Sequence, residues 1–163
     1  MLNRIAAFCL VAVLAGCAHV AMRGLLPGVS TEAQVRAALG EPAMVIAGPG
    51  GTRSLAYTTG PLGTQTWMAR IGADGRLAVL EQVLDDAHTR RIRPGVTTAE
   101  EVLWRIGPPS QKVNFERQRQ VAWDYRLQDS WGYHVDYSVM IDERGVVAAT
   151  VHARVEGGRS GRD

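Results

Sequence analysis

Cysteine is confined to Cys9 and Cys17 in this 163-residue chain, so nothing beyond residue 17 can form a disulfide or a thiolate metal site. The histidines, His19, His88, His134 and His152, stand far apart and form no HxxxH or HxxEH pattern, which removes the usual ligand sets of metalloenzymes. A surplus of one charge sign is missing too. With 18 Lys+Arg against 16 Asp+Glu, the chain lacks the positive field that a nucleic-acid partner requires. Lysine is almost absent, Lys112 being the only one, and we read this as a coding bias. The apolar run from Ile5 to Ala15 covers eleven residues, about 16 Å as a helix against the ~30 Å of a hydrocarbon core. What is present is 46% hydrophobic, with 18 Gly and 7 Pro. That is the composition of a folded body of one ordinary domain or two small ones, not of a disordered chain.

The first residues, MLNRIAAFCLVAVLAGC, hold one charge, Arg4, ahead of the apolar run. This pattern suits a secretory leader over residues 1–16, removed from the mature protein and taking Cys9 with it. Leu14-Ala15-Gly16-Cys17 resembles the bacterial lipobox. The resemblance implies that Cys17 is acylated on sulfur and becomes the new N-terminus. Two or three acyl chains hold a protein at a membrane where one does so only marginally. Ala18, in place of Asp, favours the outer membrane by the sorting rule for such proteins.

An internal repeat organises the remainder. Shifted by 67 residues, Pro27–Pro42 falls on Pro94–Pro109 with seven identities in sixteen positions, where about one is expected by chance. Thr31 with Gln34, and Thr98 with Glu101, have capping-box spacing. Val35 with Leu39, and Val102 with Ile106, recur at i and i+4 and would face a core. Gly40 and Gly107 suit the left-handed position that ends a helix, and Pro42, Pro108 and Pro109 prevent continuation. Each copy therefore predicts a two-turn helix entered through a Pro-Gly turn. Such a helix is not stable alone and needs a surface to lie on.

Strand-like segments follow in both copies: Ala43–Ala47, Arg53–Thr59, Gln65–Ile71 and Arg76–Val83, then Gln111–Phe115, Gln120–Leu127, Tyr133–Ile141 and Val146–Arg154. Tyr133, Val135, Tyr137, Val139 and Ile141 alternate with His134, Asp136, Ser138 and Met140, so one face is buried and the other polar. Asp85 to Ile92 predicts a further short helix, acidic at its start and basic at its end, and shifted back by 67 the corresponding helix of the first copy begins at about Ala18. The expected organisation is a first repeat over 17–84, a second over 85–155 and a disordered tail over 156–163. The expected fold class is α+β, with two short helices packed on a three- to four-stranded antiparallel sheet in each unit. Units of this size seldom support a core alone, so the two are expected to pack together, with or without a continuous sheet.

A helix, then Pro-Gly-Val-Thr-Thr-x-x-Glu-Val, a Gly-Pro stop and a hairpin-rich sheet ending in Ile-Asp-x-x-Gly-Val-Val resembles the SmpA/OmlA (BamE-like) domain of outer-membrane lipoproteins. Two copies in tandem also resemble the layout of β-lactamase inhibitory protein. The resemblance implies a supporting role in envelope maintenance or outer-membrane protein assembly.

Candidate site residues are few. Ser130, His134 and Asp136 lie close in sequence, but a strand places His134 and Asp136 on one face without a held nucleophile. A solvated strand face is the simpler reading, and neither a catalytic residue nor a metal site is expected. Aromatics gather in the second copy: Trp104, Trp123, Tyr125, Trp131, Tyr133 and Tyr137. Tyr133 and Tyr137 read as core. Trp131, at a turn, and Trp104, beside a charged helix face, are candidate partner anchors, with Trp123 and Tyr125 as further candidates. Arg90, Arg91 and Arg93 read as a solvated helix end, since acidic residues flank them. The sequence thus leads to a non-catalytic lipoprotein that binds the membrane through Cys17 and an envelope protein through a sheet face or the Trp131 turn. It carries no cofactor signature, no nucleic-acid site and no small-molecule substrate site. The alternative is a periplasmic inhibitor or sequestering protein built on the tandem sheet.

Overall fold

The computed structural model describes residues 22, 24–60 and 63–159. The leader, Cys17 and the helix expected from about Ala18 lie outside the described residues, apart from Met22.

Three helices and eight strands are present among the described residues: α1 (Glu32–Leu39), β1 (Met44–Ala47), β2 (Arg53–Thr58), β3 (Thr66–Ile71), β4 (Leu77–Gln82), α2 (Asp86–Thr89), α3 (Ala99–Ile106), β5 (Gln111–Phe115), β6 (Gln120–Gln128), β7 (Tyr133–Asp142) and β8 (Val147–Arg159). The strands form two four-stranded antiparallel meanders, β1-β2-β3-β4 and β5-β6-β7-β8, which are not hydrogen-bonded to each other. β8 continues to Arg159, so Glu156–Arg159, expected as disordered tail, belong to a strand. The outermost of them gains a ladder partner, Arg159 opposite Tyr133, because a register shift in β7 carries the overhang along the hairpin.

The duplication extends to individual hydrogen bonds. Thr31 and Thr98 cap α1 and α3 with complete capping boxes. Gly28 N–H donates to Leu77 O, and Gly95 N–H to Val147 O, each at 2.7 Å. These bonds tie each Pro-Gly turn to the last strand of its own sheet. Tyr57 and Tyr125 donate their hydroxyls to the carbonyls of Gly40 and Gly107, at 3.3 and 3.1 Å. Both glycines have φ near 80° with ψ of −164° and −169°, an extended mirror region open to glycine and closed to side chains. This differs from the left-handed helical geometry expected at these positions. The tyrosine bond to the glycine carbonyl fixes the alternative.

Packing, by contrast, is not symmetric. α1 lays Val35 on the front of the first sheet, against Leu55, Ala69, Ile71 and Leu77. α3 lays Val102 and Ile106 on the front of the second sheet, against Trp123, Tyr125, Leu127, Val135, Tyr137 and Val139. The opposite side of α3 then presents Leu103 and Trp104 to the back of the first sheet, where Ile46, Ala56, Met68 and Val83 form a third cluster. The order of layers is α1, first sheet, α3, second sheet. One short helix therefore serves two sheets, and this holds the repeats together without a shared strand ladder.

Candidate functional site

Register explains why, among the described residues, only the first sheet has a covered back. Ala56 pairs with Met68 in the first sheet, and the corresponding pair in the second is Asp124 with Ser138. Ser138 Oγ donates to Asp124 Oδ1 at 2.6 Å and Gln111 Nε2 to Asp124 Oδ2 at 3.0 Å. Beside them, Arg126 grips Asp136 through two bonds of 2.7 and 3.2 Å. An apolar pair invites a helix, whereas a carboxylate with its donors satisfied stays in water. The back of the second sheet is accordingly an open, hydrogen-bonded face that also carries half-buried His134.

The β6–β7 hairpin that borders this face is built on Asp129. One carboxylate oxygen accepts from the Trp131 and Tyr133 N–H groups, both at 2.9 Å. The other accepts from Arg154 Nη2 at 2.8 Å, and the Arg154 guanidinium stacks 4.7 Å from the Tyr133 ring centroid. Desolvation alone would raise the Asp129 carboxyl. The Tyr133 N–H and Arg154 outweigh it and hold the group below the usual carboxylate range. Gly132, at φ 83°, closes the turn. The hairpin thus has a fixed backbone, and on its tip Trp131 is 79% exposed.

The other aromatic candidates lie elsewhere. Trp123 and Tyr125 are buried in the core beneath α3. Their position on the covered face leaves them no surface to offer a partner, and this corrects their candidacy. Burial also drives the Tyr125 hydroxyl well above its ordinary pKa, and that of Tyr137 is pushed up to about 12. Trp104 is half-buried between the repeats, with Arg70 4.7 Å from its ring centroid. Arg70 Nη1 also donates to the Trp104 carbonyl at 2.7 Å, and its Nε to Glu81 at 3.1 Å. Trp104 is a clasp between repeats. Ser130 is exposed on the hairpin, while Asp136 is engaged by Arg126. No bond joins Ser130 or His134 into a catalytic relay among the described residues. Nor do three His, Cys, Asp or Glu side chains cluster there to hold a metal ion.

The chain is therefore an α+β protein of two repeated helix-on-sheet units, with a fixed aromatic tip and one open sheet face. No family model matches it, and no curated protein does. It is similar to a solved structure of a DUF4309 family protein, YjgB from Bacillus subtilis subsp. subtilis strain 168, at 17% identity. That likeness covers 85% of this chain and 93% of the other, with a TM-score of 0.31. Membership of the SmpA/OmlA family, expected from the motifs, is corrected by the family comparison: no family model matches the chain. The physical reason is that the shared motifs are mechanical. A capping box, a Pro-Gly turn and a Gly-Pro stop specify how a short helix is seated on a meander, which unrelated chains can share.

Proposed function

We propose that this protein is a non-catalytic, lipid-anchored module of the periplasmic face of the outer membrane that binds another envelope protein. The observation that carries the reading is Trp131, 79% exposed on a hairpin whose backbone is pinned by Asp129. A large amphipathic ring carried on a pinned backbone has only its own side-chain rotations to lose on docking, and tryptophan is frequent among binding hot spots. The lipobox at Cys17 and the following Ala18 support the membrane assignment. Acyl chains keep the body at the bilayer, and the hairpin with the open face of the second sheet presents the contact surface. A role in outer-membrane protein assembly rested on the SmpA/OmlA resemblance and loses that support.

A photo-crosslinking amino acid at position 131 of the intact lipoprotein, activated in cells, tests the proposal. The expected product is a discrete adduct with an envelope protein. Absence of any such adduct, with the lipoprotein itself stable and membrane-bound, refutes it.

The open back of the second sheet favours a second reading, a periplasmic inhibitor or sequestering protein. That reading requires the unacylated chain to form a tight soluble complex with an enzyme, which an inhibition screen detects.

A further inference from the structure

We infer that the turn from Leu26 to Ser30 is a membrane-seating surface that rests in the lipid–water interface beside the anchor. This inference depends on the reading of Cys17 as the lipid-bearing residue.

Leu26 is 55% and Val29 61% exposed, side by side on one tight turn. Exposed apolar groups on a loop are ordinary, but the backbone beneath these is not that of an ordinary loop. Gly28, at φ +77°, reverses the chain and donates its N–H to Leu77 O at 2.7 Å. Val29 and Ser30 donate theirs to Leu26 O at 3.1 and 2.9 Å. Leu26 N–H is taken by Ser30 Oγ at 2.9 Å, and Pro27 has none to offer. The Val29 carbonyl accepts from Arg76 Nη1 at 2.7 Å. Every N–H of the turn is thus satisfied before any lipid arrives, which removes the donors' share of the cost of carrying backbone out of water. Arg76 places a positive charge just behind the apolar tip, at the level where lipid phosphates would lie.

The second repeat supplies the contrast. Its turn over Arg93–Thr97 has the same bonds, with Gly95 N–H to Val147 O, Val96 N–H to Arg93 O and Thr97 N–H to Arg93 O. Val96 is equally exposed there, but Arg93 stands where Leu26 does and Val146 where Arg76 does. The apolar tip backed by a cation occurs in the repeat that follows Cys17. Residues 18–26 join the two and reach at most about 32 Å when fully extended, so the anchor keeps this turn near the bilayer.

The test uses the intact lipoprotein, purified from membranes and reconstituted in vesicles of phosphatidylethanolamine and phosphatidylglycerol. Nitroxide labels are placed through Leu26→Cys, Val29→Cys, Val96→Cys and Val151→Cys, one at a time. Labelling is selective because the chain has no cysteine after Cys17. The expected result is a collision rate with oxygen several-fold above that with a water-soluble nickel chelate at positions 26 and 29, and the reverse at 96 and 151. Nickel-accessible labels at 26 and 29 on protein that floats with the vesicles overturn the inference alone. Protein that fails to float overturns the anchor reading, and the inference with it.

Discussion

The clasp between the repeats yields a quantitative expectation. Gly48 has ordinary extended dihedrals, so alanine is conformationally acceptable there. A Cβ at this position would nevertheless overlap the Trp104 indole, and it would lie 2.6 Å from Thr52 Oγ1. The Thr52 hydroxyl can rotate away by giving up its bond to Pro49 O, at about 1 kcal/mol. The indole cannot retreat, because it is packed against the third cluster and stacked on Arg70. Overpacking of this kind costs about 1–3 kcal/mol. Trp104→Ala removes roughly 100 Å² of buried ring, worth about 2.5 kcal/mol, and a cation–π contact of about 0.5–1 kcal/mol. In that background Gly48→Ala meets only the threonine. The two substitutions should therefore be non-additive by about 1–2 kcal/mol, the double variant being more stable than the sum of the singles. Urea unfolding of residues 18–163, followed by far-ultraviolet circular dichroism, measures the cycle. If Gly48→Ala costs the same with and without the indole, the clasp as described is wrong.

Gly40 and Gly107 allow a paired comparison, since both have φ near 80° but only Gly107 would place a Cβ 2.8 Å from Thr66 of the other repeat. Alanine at either position should destabilise, and at Gly107 by about 1 kcal/mol more; equal losses in urea midpoint would deny the cross-repeat contact. Trp131→Ala should leave stability within about 0.5 kcal/mol of the parent while abolishing capture of the partner, which thermal unfolding and crosslinking report separately. At Asp142 the Val146 N–H, with the Arg144 side chain, holds the folded carboxyl below its ordinary value. A depressed folded pKa contributes stability that is complete above the unfolded value of about 3.9 and is lost as pH falls through the folded one. Asp142→Asn should therefore lower stability at neutral pH and flatten the decline below about pH 4, as read from urea midpoints across a pH series.

The elements were largely legible in the chain because their signals are local. Thr31 and Gln34, three residues apart, specify one helix start, and alternation from Tyr133 to Ile141 specifies one strand face. The overall class, α+β with antiparallel sheets, follows from those signals and the repeat. Family membership did not follow, because local mechanics are common to many chains. The back of the first sheet was illegible as well. Nothing near Ala56 or Met68 announces that Leu103 and Trp104 will cover them, and nothing near Arg70 marks it as the grip on a helix more than thirty residues ahead. Trp123 and Tyr125 misled for a related reason: an aromatic on an alternating strand belongs to whichever face a distant helix covers. Asp129 had a weak signal, an acidic residue three before a glycine at a hairpin, and its hold on Trp131 shows that this pattern marks a stiff tip.

The placement of α3 has a consequence for how the protein is made. Synthesis delivers the N-terminal repeat first, and its sheet is complete in sequence by Gln82. The side formed by Ile46, Ala56, Met68 and Val83 stays uncovered until the chain through Trp104 has followed. During that interval the first repeat is a half-finished object with a sticky back, vulnerable to holdases, proteases and its own copies. A pause in synthesis between the repeats prolongs that exposure, whereas a pause after α3 leaves the Val102 and Ile106 side of the helix waiting for its own sheet.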